Sequence, residues 1–245
     1  MDRQSLIGLN HYKNRENILI IETATAQKAN ETIEEILIKY SDFKTALFLS
    51  GGNTPKKLYE HFALEKKLKA GAVGQIDERF GAKNHKNSNE SMIEKTGLIS
   101  YFESLNIRFY PILQEELGIQ DTALQYDEAL RFIFKYFPKS VGILGIGEDG
   151  HTAGIPSIPE IALKMLEDQS ELVDFYEAEK YGPRITMNFH GISMLDLIII
   201  LALGQEKRET LSQMFKEGII DDFPARYYLT PAIAEKTIIV TDQIV

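Results

Sequence analysis

The sequence predicts an α/β fold with a mainly parallel sheet flanked by helices. Continuous apolar runs at 45–49, 141–146 and 197–203 suit strands covered on both faces. Intervening segments carry apolar residues at three- and four-residue spacing, the mark of helices with one buried side. Polar, glycine-bearing loops follow several strands, which is where open parallel sheets bind their ligands.

Taken in order, 17–21 reads as a first strand and 25–39 as an amphipathic helix packing through Ala26, Ala29, Ile33, Ile36 and Leu37. After the strand at 45–49 comes Ser50-Gly-Gly-Asn-Thr-Pro55, then a helix over 56–69, with Thr54 as N-cap and Pro55 at the first helical position. A third strand, 72–76, ends at Asp77-Glu-Arg79, which reads as a salt-bridged surface turn, and the polar run 83–89 reads as a loop that either wraps a polar ligand or is only solvated. A strand at 106–110 and a helix at 119–137 precede the run at 141–146. Beyond it, 154–159 is a kinked loop, 160–167 a short helix, 169–183 an irregular or edge segment and 184–188 a strand. The run at 197–203 leads through Gly204-Gln-Glu-Lys207 into another helix, 223–228 forms a helical turn and 237–241 the last strand. No repeat or linker interrupts the chain, so 1–245 is expected to be a single Rossmann-like domain.

Composition narrows the function. The 44% hydrophobic share is that of an ordinary globular protein. A net charge of −9 with scattered basic residues argues against a nucleic-acid or anionic-membrane surface. Absence of cysteine excludes disulfides and thiolate chemistry. His11, His61, His85, His151 and His190 lack close metal-ligand spacing, so neither metal nor cofactor is expected. The N-terminal stretch 1–16 is polar and lacks a signal peptide's apolar core, and the longest apolar run is too short to span a bilayer. The expectation is a soluble cytoplasmic protein, a monomer or small homo-oligomer.

Two loops invite chemistry. The glycine-rich turn at 50–55 would offer free N–H groups and a positive dipole end to an anion, or be only a well-made helix start. In Val141-Gly-Ile-Leu-Gly-Ile-Gly-Glu-Asp-Gly-His-Thr152, glycines let the backbone turn beside a ligand. An aspartate two residues before a histidine stands where a sheet-based enzyme would keep a base; the alternative is an acidic turn whose histidine merely caps. Ser50–Thr54, Asp77–Arg79, Gly147–His151 and Gly204–Lys207 all follow a strand's C-terminal end and so share one sheet edge.

Ser50-Gly-Gly-Asn-Thr-Pro55, Asp77-Glu-Arg79, Ser88-Asn89, Gly145-Ile-Gly-Glu-Asp-Gly-His-Thr-Ala153, Arg184-Ile-Thr186 and Gly204-Gln-Glu-Lys207 resemble, in order and spacing, the signature blocks of the 6-phosphogluconolactonase family. The resemblance runs from about residue 45 to the C-terminus, with Gly154-Ile-Pro-Ser157 standing where the family tends to have Ser-Leu-Phe-Pro. It implies hydrolysis of 6-phospho-D-glucono-1,5-lactone, with the sugar-phosphate lactone as the small-molecule partner. His151 would be general base, and Asp149 would orient it or only form the turn. Phosphate would sit on Gly51, Gly52, Asn53 and Thr54, with charge from Arg184 and Lys207. Asp77, Arg79, Ser88 and Asn89 would order the substrate.

Two other readings stay in view. The related glucosamine-6-phosphate deaminases place a glutamate five residues beyond the histidine, where this chain has Pro156; the nearest later acid is Glu160. The other is a sugar-phosphate sensor domain that binds without catalysis; transcriptional regulators of that kind carry a DNA-binding module, for which 1–16 is too short.

Overall fold

The computed structural model describes residues 3–8 and 12–244; His11 and part of the polar N-terminal stretch lie outside the described residues. Its strands are β1 (Lys13–Arg15), β2 (Ile18–Glu22), β3 (Thr45–Leu49), β4 (Ala72–Gln75), β5 (Asp77–Arg79), β6 (Arg108–Tyr110), β7 (Lys139–Leu144), β8 (Val173–Ala178), β9 (Gly182–Met187), β10 (Leu197–Ala202) and β11 (Thr237–Thr241). The helices are α1 (Arg3–Ile7), α2 (Ala26–Tyr40), α3 (Asn53–Glu65), α4 (Asn89–Lys95), α5 (Leu98–Ser104), α6 (Ile119–Tyr136), α7 (Pro159–Glu167), α8 (Phe189–Ser193), α9 (Glu206–Met214) and α10 (Pro231–Ala234), with a 3₁₀ turn at Pro224–Leu229.

Eight strands form the main sheet in the order β1-β2-β11-β10-β7-β3-β4-β6. Every pairing is parallel except that of β1 with β2. The apolar runs lie in its middle because both faces are covered. On one face Leu47, Leu49, Val141, Ile143, Ile199 and Leu201 pack with residues of α2, α3 and α5, including Ile33, Leu58 and Phe102. On the other, Phe48, Leu144, Ile198 and Ile200 pack with α6, α7, α9 and the second sheet, through residues such as Tyr126, Met165, Leu211 and Ile185. Each fully buried Leu, Ile or Phe contributes roughly 1.5–3 kcal/mol relative to an exposed one. Among the described residues no helix is long and apolar enough to cross a membrane.

The parallel α/β architecture agrees with the sequence expectation, but several local features differ. Asp77–Arg79 is not a surface turn. It is β5, the edge of a small antiparallel sheet ordered β5-β9-β8, with Asp77 opposite Thr186 and Arg79 opposite Arg184. Three polar residues in a row carry no apolar signal, yet Asp77 and Glu78 are buried. Within 169–183, expected to be irregular or an edge segment, Val173–Ala178 form the edge strand β8, hairpinned to β9, which already begins at Gly182. Helix α3 starts at Asn53, ahead of the expected start, with Gly52 rather than Thr54 at its N-cap. Gly52 has φ +103°, a conformation L side chains rarely adopt, and this lets the chain enter the helix immediately after the strand. The run 83–89 is exposed over much of its length, but it ends with Ser88 and Asn89 buried as α4 begins.

That inward turn is fixed by Glu78, which is fully buried. Its carboxylate accepts from the Gln75 amide (3.0 Å), the Ser88 hydroxyl (3.0 Å) and the backbone N–H groups of Arg79 (2.8 Å), Asn89 (2.6 Å) and Glu90 (2.8 Å). One anion thus ties the main sheet, the second sheet and the start of α4 together. Glu78→Ala strands these donors and should cost at least about 3 kcal/mol in urea denaturation; a loss below about 1 kcal/mol would mean that the loop is held by other contacts.

Candidate active site

The loop after β3 is built for close approach. Ser50 N–H donates to the Ile143 carbonyl of β7 (3.2 Å), and the buried Tyr59 hydroxyl donates to the Ser50 carbonyl (2.9 Å). A Cβ on Gly51 would fall 1.8 Å from the Asn89 side-chain oxygen, so only glycine fits. No side chain caps the start of α3. Its first N–H groups, with Gly51, Gly52, Asn53 and Thr54, line a cleft of about 290 Å³. Because the helix begins before Thr54, that hydroxyl sits within the first turn beside the free N–H groups, where a dipole end and open donors favour an anion.

The loop after β7 closes on itself. Isolated bridges pair Ile146 with Thr152 and Thr152 with Ile155, and Gly147 N–H donates to the His151 carbonyl (2.8 Å). Thr152 hydroxyl reaches the Gly145 carbonyl (2.9 Å) and the Tyr228 hydroxyl (2.6 Å). A Cβ on Gly147 would lie 2.0 Å from the imidazole, and Gly150 takes φ +86° under the Phe223 ring. The glycines therefore make room for the histidine ring and its turn. His151 Nδ1 meets Asp149 Oδ1 at 2.6 Å, while Nε2 has no hydrogen-bond partner among the described residues. Ser157, in the loop that departs from the family pattern, donates to the Asp149 carbonyl (2.6 Å) and ties that loop to the histidine turn.

Asp149 is held from both sides. Its Oδ2 accepts from Lys180 Nζ (2.7 Å) and the Tyr181 hydroxyl (2.5 Å) at the tip of the β8–β9 hairpin. The hydrogen bond from His151, and then those from Lys180 and Tyr181, hold its carboxyl far below the usual range against the opposing effect of burial. Burial first, and then the bond to Asp149, push the Tyr181 phenol up, so it stays protonated as a donor.

The second sheet forms the other wall. Asn89 Nδ2 donates to the Asp77 carbonyl (2.9 Å) and carboxylate (3.2 Å), and its oxygen accepts from Arg79 (2.7 Å). Arg184 stands 3.7 Å from the Asp77 carboxylate and donates through Nε to the Tyr181 carbonyl (3.1 Å). Lys207, in the first turn of α9, also lines the cleft, and its ammonium meets no carboxylate among the described residues.

His151, Gly51, Gly52, Asn53, Thr54, Asp77, Arg79, Asn89, Arg184 and Lys207 therefore line one cleft. Asp149 stands just behind His151. Ser88 lies a layer further back: its hydroxyl supports Glu78 and accepts from Ser91 N–H to cap α4. Sequence reasoning missed Lys180, Tyr181 and the cleft-lining Tyr176, because the hairpin carrying them has no glycine-rich signature before the turn. Only the antiparallel pairing of β8 with β9 brings them to the site.

The chain resembles known proteins over most of its length. The family described as glucosamine-6-phosphate isomerases/6-phosphogluconolactonase matches residues 21–238. A 6-phosphogluconolactonase of Nostoc sp. is 30% identical over 188 residues, covering 73% of this chain and 75% of that one. One of Mesorhizobium japonicum is 31% identical over 166 residues, covering 66% and 68%. Among solved structures, a 6-phosphogluconolactonase from Plasmodium vivax superposes with a TM-score of 0.75 at 22% identity, covering 98% of this chain and 95% of that one. A second, from Shewanella baltica, gives 0.76 at 21% identity, covering 91% and 97%. At that identity the structural likeness speaks for the fold.

Proposed function

This chain belongs to the glucosamine-6-phosphate isomerase/6-phosphogluconolactonase family, and on that premise we propose that it hydrolyses 6-phospho-D-glucono-1,5-lactone to 6-phospho-D-gluconate. The choice between the family's two activities rests on Pro156. It lines the cleft and stands five residues beyond His151, the sequence position at which the deaminases carry a supporting glutamate, while the nearest later acid, Glu160, is exposed on α7 and does not line the cleft. Neither a metal nor a covalent nucleophile is required, because a lactone carbonyl is already electrophilic.

In this reading His151 Nε2 takes a proton from the attacking water as its oxygen adds to C1. The tetrahedral intermediate then collapses, the bond between C1 and the ring oxygen breaks, and the imidazolium returns the proton to that oxygen. Asp149 at Nδ1 sets the tautomer that leaves Nε2 free. The phosphate is held by the N–H groups at 51–54 and by Arg184 and Lys207, which anchors the sugar with its lactone toward the histidine.

His151→Asn should leave the fold intact and lower turnover, after subtraction of spontaneous hydrolysis, by about two orders of magnitude or more. The same assay offered glucosamine 6-phosphate should release no ammonia above a control without enzyme. Unchanged turnover in the folded variant would remove His151 as base. Ammonia release would reinstate the deaminase. Binding of sugar phosphates with neither reaction would favour a sensor.

Recognition through the phosphate has its own signature. Arg184→Ala and Lys207→Ala should each lower kcat/KM for the phosphorylated lactone by roughly ten- to hundredfold, the worth of about 1.5–3 kcal/mol for a charged hydrogen bond. Lys207→Ala should barely change the poor activity on unphosphorylated glucono-lactone, and Arg184→Ala, which also loses the bond to the Tyr181 carbonyl, should lower it less than it lowers turnover of the phosphorylated lactone. Equal losses on the two lactones would show that the residue serves the fold or the chemistry instead.

A further inference from the structure

The base has more holding it than orientation requires. A carboxylate at Nδ1 does two things at once: it fixes the tautomer, and it favours the imidazolium. The second effect works against a general base, because a protonated ring cannot accept a proton from water. In this protein the carboxylate's other oxygen is occupied by a cation and a phenol. Lys180 Nζ lies 2.7 Å and the Tyr181 hydroxyl 2.5 Å from Asp149 Oδ2, the oxygen that does not meet the imidazole. Lys180 also reaches the Tyr181 hydroxyl (3.2 Å) and lies over its ring, 4.8 Å from the centroid. The Tyr181 ring in turn stands edge-on to His151, 6.0 Å between centroids.

We propose that the tip of the β8–β9 hairpin is a charge clamp: Lys180 and Tyr181 are positioning residues that hold and neutralise Asp149, so that it fixes the tautomer of His151 without strongly favouring its protonation. The clamp rests on the reading of His151 as the base.

The hairpin is braced for this task. Tyr181 N–H closes its turn on the Ala178 carbonyl (3.1 Å), Gly182 follows with φ +68°, and Arg184 donates to the Tyr181 carbonyl (3.1 Å). The other charged or titratable groups lining the cleft are Asp77 and Arg79 from β5, Tyr176 from β8, Arg184 from β9 and Lys207 from α9. Among the described residues only Asp149 bonds the imidazole ring, and only Lys180 forms an ion pair with the far oxygen of Asp149. The Lys180 side chain is 65% exposed, so its replacement should leave the fold untouched.

The test is to follow the His151 ring by NMR across pH in the free protein, alongside the pH profile of kcat/KM. Lys180→Met should raise the ring's titration midpoint by roughly half a pH unit, the effect of removing one partly solvated positive charge. Tyr181→Phe should move it the same way by less, because the carboxylate loses a competing donor while the ring is kept. Asp149→Asn should move it in the opposite direction. The acid limb of kcat/KM should follow each shift, and Lys180→Arg should restore the wild-type profile. A midpoint that does not move in Lys180→Met would overturn the clamp, as would a loss of rate in that variant with no displacement of the acid limb. Full turnover in His151→Asn would remove the base itself, and the ring titration would still decide whether Lys180 and Tyr181 neutralise Asp149.

Discussion

The site depends on one constraint of topology: β3 and β7 are parallel neighbours whose chains leave toward opposite faces of the sheet. After β3 the chain enters α3, which packs on one face through Leu58, Tyr59 and Phe62. After β7 it runs to α7, which packs on the other through Ala162 and Met165. The divergence opens a crevice at the shared C-terminal edge, where open α/β sheets bind their ligands. Neither loop makes the site alone. The Ser50 N–H bonded to the Ile143 carbonyl joins the two strands where the crevice begins, so the uncapped start of α3 and the His151 turn face a common space.

The second sheet completes what the crevice begins. β5 leaves the main sheet directly after β4 and pairs with β9, and the buried Glu78 anchors that departure. Asp77, Arg79 and Arg184 thereby form a wall opposite the phosphate loop. The same sheet extends through β8 to the hairpin tip that grips Asp149. In the proposed function, recognition of the phosphate and tuning of the base both draw on one small sheet. Arg184 touches both, through its contact with Asp77 and its bond to the Tyr181 carbonyl.

How legible this was in the sequence varied with the kind of signal. The strands 45–49 and 197–202 are continuous apolar runs, and burial on both faces leaves them no other role. Helices α2 and α6 announced themselves by periodicity, with ends within a residue or so of expectation. The loops after β3, β7 and β10 were readable because glycines and polar residues interrupt apolar runs. β5 was not, since Asp77-Glu-Arg79 is buried through partners far along the chain rather than through its own hydrophobicity. The start of α3 was misplaced because Thr54-Pro55 is a good helix opening in isolation, and a Gly52 at positive φ gave a tighter one. Lys180 and Tyr181 had no local signal at all. Their contacts with Asp149 exist only once the hairpin folds over it.

In the proposed function the two loops divide the work, with the phosphate at the start of α3 and the reacting carbon at His151. A crystal structure with 6-phosphogluconate bound tests that division most directly. Phosphate oxygens should lie within hydrogen-bond distance of the N–H groups at 51–54, and the C1 carboxylate about 3 Å from His151 Nε2. A product lying the other way round, with its phosphate against His151, or bound outside the crevice between β3 and β7, would contradict it.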